Sequence, residues 1–204
     1  MAKRTEGFDE AILQQAKLEF LKNGYENASL RTIAQNADVS TSAIYTRFKD
    51  KEGLFRELLR PATEKLLNYM ETYLGQFEAL DADSQSCQRL SCAERGYGGF
   101  LDILYEYFDE FKLLVTSSTN GIYRSYLEKI VTLNVNCTVQ FLEASQNVAY
   151  REGRITDGFI YILSSGFYSG LFELAVHNIC REESEQYFNE LKDFYECGWS
   201  RYLK

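Results

Sequence analysis

The chain has 204 residues, 45% hydrophobic and 25% charged, with one proline and a net charge of −8. That length allows a real core, arranged as one small domain and one larger one, and the near absence of proline points to an all-α chain. No segment approaches the ~20 apolar residues of a membrane span, and the opening MAKRTEGFDE lacks the apolar run of an export signal, so a cytoplasmic location is expected. Five cysteines (Cys87, Cys92, Cys137, Cys180, Cys197) at irregular spacing outline neither a disulfide framework nor a metal site, and the lone His177 has no ligand cluster beside it. With no nucleophile–base pair and no metal set, neither an enzyme nor a cofactor is expected.

The first helix is expected from about Thr5 or Asp9 to Asn23, with Ile12, Ala16 and Phe20 inward and Gly24 as its stop. Ser29 is placed to cap a second helix whose Leu30, Ile33, Ala34 and Ala37 fall at i, i+3, i+4 and i+7. Asp38-Val39-Ser40 breaks the pattern, and Ser40 caps a third, short helix with Ile44 and Phe48 pointing inward. Thr41, Ser42, Tyr45, Thr46 and Arg47 are left outward or at its margins. A short helix with small, hydrogen-bonding, partly cationic residues on its outer face suits the major groove, which marks a helix-turn-helix candidate.

These residues resemble the DNA-binding end of TetR-type transcriptional regulators. The pattern is carried by Ile12, Ala16, Phe20, Gly24-Tyr25, Ile33-Ala34, Ala37, Val39-Ser40, Ile44-Tyr45, Phe48, Lys51-Glu52 and Leu54, over about the first quarter of the chain. Asp38 stands where that family usually has Gly, at a turn favouring a left-handed backbone, which Asp tolerates better than most residues. Ser42 replaces a common Gly, and Arg47 a common aromatic or His. The resemblance implies an N-terminal three-helix helix-turn-helix domain followed by a larger helical ligand-binding and dimerisation domain. It implies a ligand-responsive regulator, expected to be a repressor, that binds a palindromic double-stranded DNA operator as a homodimer and is released by a small-molecule effector. By position in the motif, Arg31, Thr41, Ser42 and Arg47 are candidates for base edges. Tyr45, Thr32 and Lys51 fit phosphate contacts, Lys51 at a helix start where free N–H groups also face the anion. Thr46 lies on the same face, and Lys3 and Arg4 offer tail contacts.

Net acidity opposes DNA binding, but its distribution resolves the conflict. Residues 1–60 hold ten Lys/Arg against nine Asp/Glu, whereas residues 61–204 hold twelve against twenty-one. The acidity belongs to the C-terminal part.

Asp50 is placed to cap a fourth helix beginning at Lys51, in which Pro61 is expected to produce a kink or a restart before Leu66, Leu67, Met70 and Leu74 resume the spacing. The division expected is therefore a DNA-binding domain over 1–50, a connecting helix over 51–75 and a ligand-binding and dimerisation domain over 76–204. A loop is expected near Leu80–Ser84, a break at Ser117–Gly121, a long helix from Tyr123 to about Tyr150, and two last helices near Asp157–Asn178 and Ser184–Leu203. Gly166 and Gly170 let another helix approach closely. The last two helices carry enough apolar residues to bury more than one face, which suits a four-helix bundle with a second copy; in the family resembled, those helices form the dimer interface. Aromatic-rich helices can enclose a pocket or make solid core. Tyr97, Tyr105, Phe108, Tyr123, Asn134 and Phe167 are the pocket candidates. Two other readings stay open: a small-molecule-binding protein without a specific operator, and a redox-responsive regulator acting through its cysteines.

Overall fold

Gly24 ends the first helix: its backbone sits at φ 71°, ψ 166°, so α1 (Ala2–Asn27) is a long helix and a terminal turn joined at a bend. This computed structural model describes the backbone of residues 2–117 and 121–202, and their side chains except at 2–7, 82, 86, 88–95 and 97. The side chains of Lys3, Arg4 and Tyr97, expected to make contacts, and of Cys92 therefore lie outside the described residues.

Three short-range devices build the N-terminal head. Ser29 Oγ accepts the Thr32 N–H at 3.3 Å and starts α2 (Leu30–Asn36). Ser40 Oγ accepts the Ala43 N–H at 3.2 Å and starts α3 (Thr41–Phe48). Asp50 Oδ1 accepts the Gly53 N–H at 2.7 Å and starts α4 (Lys51–Glu78). Between α2 and α3, Asp38 takes the left-handed conformation expected of it, with φ 53°. The Val39 N–H reaches the Ala34 carbonyl at 3.0 Å and the Asp38 N–H the Gln35 carbonyl at 3.3 Å, the paired bonds of a Schellman ending. The joint from α3 to α4 is tighter still. Lys49 sits at φ 69°, ψ −54°, and the Asp50 N–H bonds the Phe48 carbonyl at 2.9 Å, a γ-turn of positive φ. A side chain at Gly53 would place its Cβ 1.9 Å from that carbonyl oxygen, so only glycine fits the first turn of α4.

Ile12, Ala16 and Phe20 of α1, Ile33 of α2, Ile44 of α3 and Phe55 of α4 are buried together. Phe20 touches Phe55 edge-on at 5.0 Å and stacks near Tyr25 at 5.9 Å.

No restart occurs at Pro61: α4 runs through it as one continuous helix. Proline leaves the Glu57 carbonyl without its helical donor, and Pro61 is on the exposed side of the helix, where solvent can offer that oxygen a donor. Nor is there a long loop after α4. Asp81 accepts the Ser84 N–H at 2.9 Å, so the polar residues that follow are the start of α5 (Ala82–Glu106). α6 (Phe108–Thr116) and α7 (Ile122–Ala144) come next. α7 stops short of the expected Tyr150 because Gln146 turns to φ 49° and Asn147 caps the four-residue α8 (Val148–Arg151). α9 (Asp157–Val176) and α10 (Arg181–Trp199) close the chain, near the expected bounds.

α9 organises the body. Phe172 touches the rings of Phe100, Phe111, Tyr123 and Tyr126 at 5.6–6.2 Å. Contrary to expectation, one helix does reach the length and mean hydropathy of a membrane span: α9, at 1.4 over its most apolar stretch. Its contacts with α6, α7 and α10 make it a core helix of this fold. Its small residues act as expected, and the helix they admit is α10: Leu191 lies 3.4 Å from a Cβ built on Gly170, and Tyr195 2.8 Å from one built on Gly166.

Candidate functional site

α3 is held from below and open above. Ile44 and Phe48 anchor it in the head core, while Ser42, Tyr45, Thr46 and Arg47 are exposed and Thr41 is half-buried. Tyr45 is 52% exposed although aromatic. Arg31 is exposed and Thr32 half-buried in the first turn of α2. Two hydroxyls already have local partners: Thr46 Oγ1 donates to the Ser42 carbonyl at 2.8 Å, and Ser42 Oγ pairs with Ser40 Oγ at 3.0 Å. Arg47 bonds the carboxylate of Asp9, tying α3 to α1, so a base contact from Arg47 requires Asp9 to let go.

Lys51 has a different place from the one expected. Its Nζ donates to the carbonyls of Glu26 at 2.8 Å and Ala28 at 3.2 Å, and lies 4.9 Å from the centre of the Tyr25 ring. The ammonium thus caps the loose carbonyls beyond Gly24 instead of standing clear for a phosphate. The buried Glu19 does the complementary job, accepting the Ser29 N–H at 3.0 Å. Sequence spacing signals neither role, because each partner comes from elsewhere in the chain. Lys51→Ala should cost about 1–3 kcal/mol, by leaving carbonyls without a donor, and should lower the melting midpoint. The salt dependence of DNA binding should stay at the parent slope. A slope smaller by about one unit would return Lys51 to the phosphates.

The expected pocket residues divide. Tyr105 stacks on Phe108 at 5.3 Å and donates its hydroxyl to the Ile179 carbonyl at 3.0 Å. Tyr123 stands edge-on to Phe172 at 5.8 Å. These three are half-buried and do not line the cavity to which the other two contribute. Asn134 and Phe167 line a cavity of about 160 Å³, open on one side, between α4, α5, α7, α9 and α10. The sequence left Trp199 and Tyr73 unassigned to it, although both line it. Inside, Ser164 Oγ donates to Asn134 Oδ1 at 2.9 Å. Cys137, also in the wall, has its thiol pushed up to about 12, chiefly by burial and further by Glu78, which disfavours the thiolate. Cys87, Cys180 and Cys197 are exposed free thiols.

Cavity and head share a helix. Met70 and Leu74 of α4 line the cavity, and the other end of α4 carries the γ-turn joint to α3. Ion pairs reinforce the contacts with the body. Lys17 of α1, in the head, lies 3.1 Å from Asp109 and 2.9 Å from Glu110 of α6, and Lys65 of the connecting helix α4 lies 2.6 Å from Glu106 of α5. Partial burial opposes the Lys17 charge, but its bonds to Glu110 and Asp109 outweigh that and raise its pKa.

Residues 12–58 match the family model of bacterial regulatory proteins, tetR family. The HTH-type transcriptional repressor Rv1474c of Mycobacterium tuberculosis (strain ATCC 25618 / H37Rv) is 38% identical over 55 residues, covering 27% of this chain and 29% of the relative. The chain therefore matches under a third of the length of that curated relative. A solved structure described as a tetR family transcription regulator from Shewanella sp. PV-4 superposes with a TM-score of 0.63 at 17% identity, over 95% of this chain and 97% of the other. A transcriptional regulator from Aquifex aeolicus VF5 does so with a TM-score of 0.57 at 21% identity, over 93% and 98%. The likeness of these two is one of fold.

Proposed function

We propose, for a chain that belongs to the TetR family of transcriptional regulators through its N-terminal domain, that it is a repressor acting as a homodimer on a two-fold-symmetric operator and released when a small effector enters the cavity. The observation that carries this reading is α3: a helix locked into a core by Ile44 and Phe48 that leaves Ser42, Tyr45 and Thr46 exposed on its other side. Arg31, Thr41 and Ser42 serve base edges in this reading, with Arg47 joining them once freed from Asp9. Tyr45 and Thr32 serve phosphates. The named repressor, similar over 55 residues, supports repression.

Dimerisation is supported by unburied apolar surface on the last two helices. Ile162 of α9 is 67% exposed and Phe194 of α10 is 76% exposed, with Tyr161 next to the first and Tyr187 two helical turns before the second, both also exposed. One head makes too few contacts for specific affinity, whereas two on a two-fold site suffice. The release mechanism follows from α4. A ligand against Met70 and Leu74 favours one tilt of an unbroken helix, and so one spacing of the paired heads.

Selection of bound duplexes from a random pool tests the reading. An inverted repeat with half-sites about one helical turn apart is the expected result. An asymmetric motif, or no enrichment, refutes it.

A further inference from the structure

Resting on the reading of the cavity as the effector site, we propose that its ligand is an uncharged single-ring molecule bearing one hydrogen-bond acceptor, such as an aryl ketone. Size comes first. The cavity measures about 160 Å³, and an apolar cavity of roughly 150 Å³ holds one benzene ring.

The wall comes second. Phe77 and Phe141 meet at 5.9 Å and 57°, and Phe167 meets Tyr195 at 5.1 Å and 76°, all four lining the space together with Trp199. Rings set at these angles offer both faces and edges to a flat guest, the arrangement aromatic pairs prefer.

The polar groups set the remaining terms. Ser164 is buried and gives its hydroxyl proton to Asn134 Oδ1, so Asn134 keeps its amide N–H groups, which with the Tyr195 hydroxyl and the Trp199 indole N–H are donors in that wall and call for an acceptor. Charge is not called for. Among the described residues no arginine lines the cavity, and Lys192, which does, lies 3.8 Å from the Asp193 carboxylate, with Glu196 also in the wall. The raised pKa of Cys137 shows the same wall resisting negative charge. A carboxylate entering here would lose its hydration without a dedicated cation in exchange.

Trp199 is the chain's single tryptophan and stands in the cavity wall, so its emission reports occupancy directly. Acetophenone, toluene, benzoate and octanoate are titrated into the full-length protein, with calorimetry alongside. Acetophenone should saturate one site per protomer, with a Kd at least about tenfold below those of benzoate and octanoate. Asn134→Leu should weaken acetophenone about tenfold and leave toluene unchanged, by removing one hydrogen bond. Ser164→Ala, a smaller change that keeps the fold if Asn134→Leu does not, should weaken acetophenone several-fold in the same way. Tighter binding of benzoate or octanoate, indifference of acetophenone to both variants, or no saturation by any probe overturns the proposal. Operator release is measured separately. Acetophenone that binds as stated yet leaves the DNA complex intact refutes the effector reading while the ligand class stands.

Discussion

Phe194→Glu is expected to turn a dimer into a monomer of 23.6 kDa and to weaken operator binding at least ~100-fold. The argument starts from surface. Phe194 is 76% exposed on an otherwise ordered helix, and Ile162 on the neighbouring helix is 67% exposed. Full burial of one such side chain stabilises by about 1.5–3 kcal/mol. In a two-fold interface every substitution occurs twice, so the loss is about 3–6 kcal/mol, or roughly a factor of 10²–10⁴ in the dimer constant. The added carboxylates also meet an acidic neighbourhood, since α10 already carries Glu190, Asp193 and Glu196. Operator binding falls in step because a lone head loses half the contacts. The melting midpoint of the monomer should change little, as Phe194 contributes little to its own chain's core. Sedimentation of the variant checks this, and a Phe194→Glu protein that remains dimeric places the interface elsewhere.

Phe20→Ala should unfold the reading head. Phe20 is fully buried and touches Phe55 and Tyr25, the rings that join α1 to α4. Such truncations cost about 3–5 kcal/mol, as lost transfer energy plus the cavity left behind. For a chain of this size that is a fall of roughly 6–20 °C in melting midpoint. Specific DNA binding should vanish before the midpoint is reached, because the core that fixes α3 is the one damaged. Calorimetry and a duplex titration read both effects. A midpoint within about 2 °C of the parent would mean that Phe20 does not organise the head.

How much of this was legible in the sequence depended on the range of the interaction. The caps at Ser29, Ser40 and Asp50 each act over three residues, so spacing alone reveals them. Asp38 was readable for the same reason: a left-handed residue between two short apolar stripes is a local necessity. Asp81 could have been read likewise, but its cap was hidden in a stretch whose polarity resembled a loop. Pro61 misled because chemistry predicts a lost bond, whereas its consequence depends on which side of the helix faces water.

Long-range partners were not readable. Lys51 and Arg47 carry the charge a DNA contact wants, yet Lys51 serves carbonyls before α2 and Arg47 a carboxylate on α1. The aromatic run raised a similar ambiguity. Tyr105, Phe108 and Tyr123 differ from Phe167 in no local feature, and only the packing of the helices against one another decides which rings stay half-exposed and which face the cavity. Asn134 was legible as a polar residue on an apolar helix, and its partner Ser164 was not.

Native mass spectrometry of the protein saturated with its selected duplex tests the central claim most directly. Complexes should carry two protomers per duplex, or a multiple of two, with no stable one-protomer species. A single protomer per duplex at saturation would contradict the account, because paired heads held at a set spacing would then play no part in recognition.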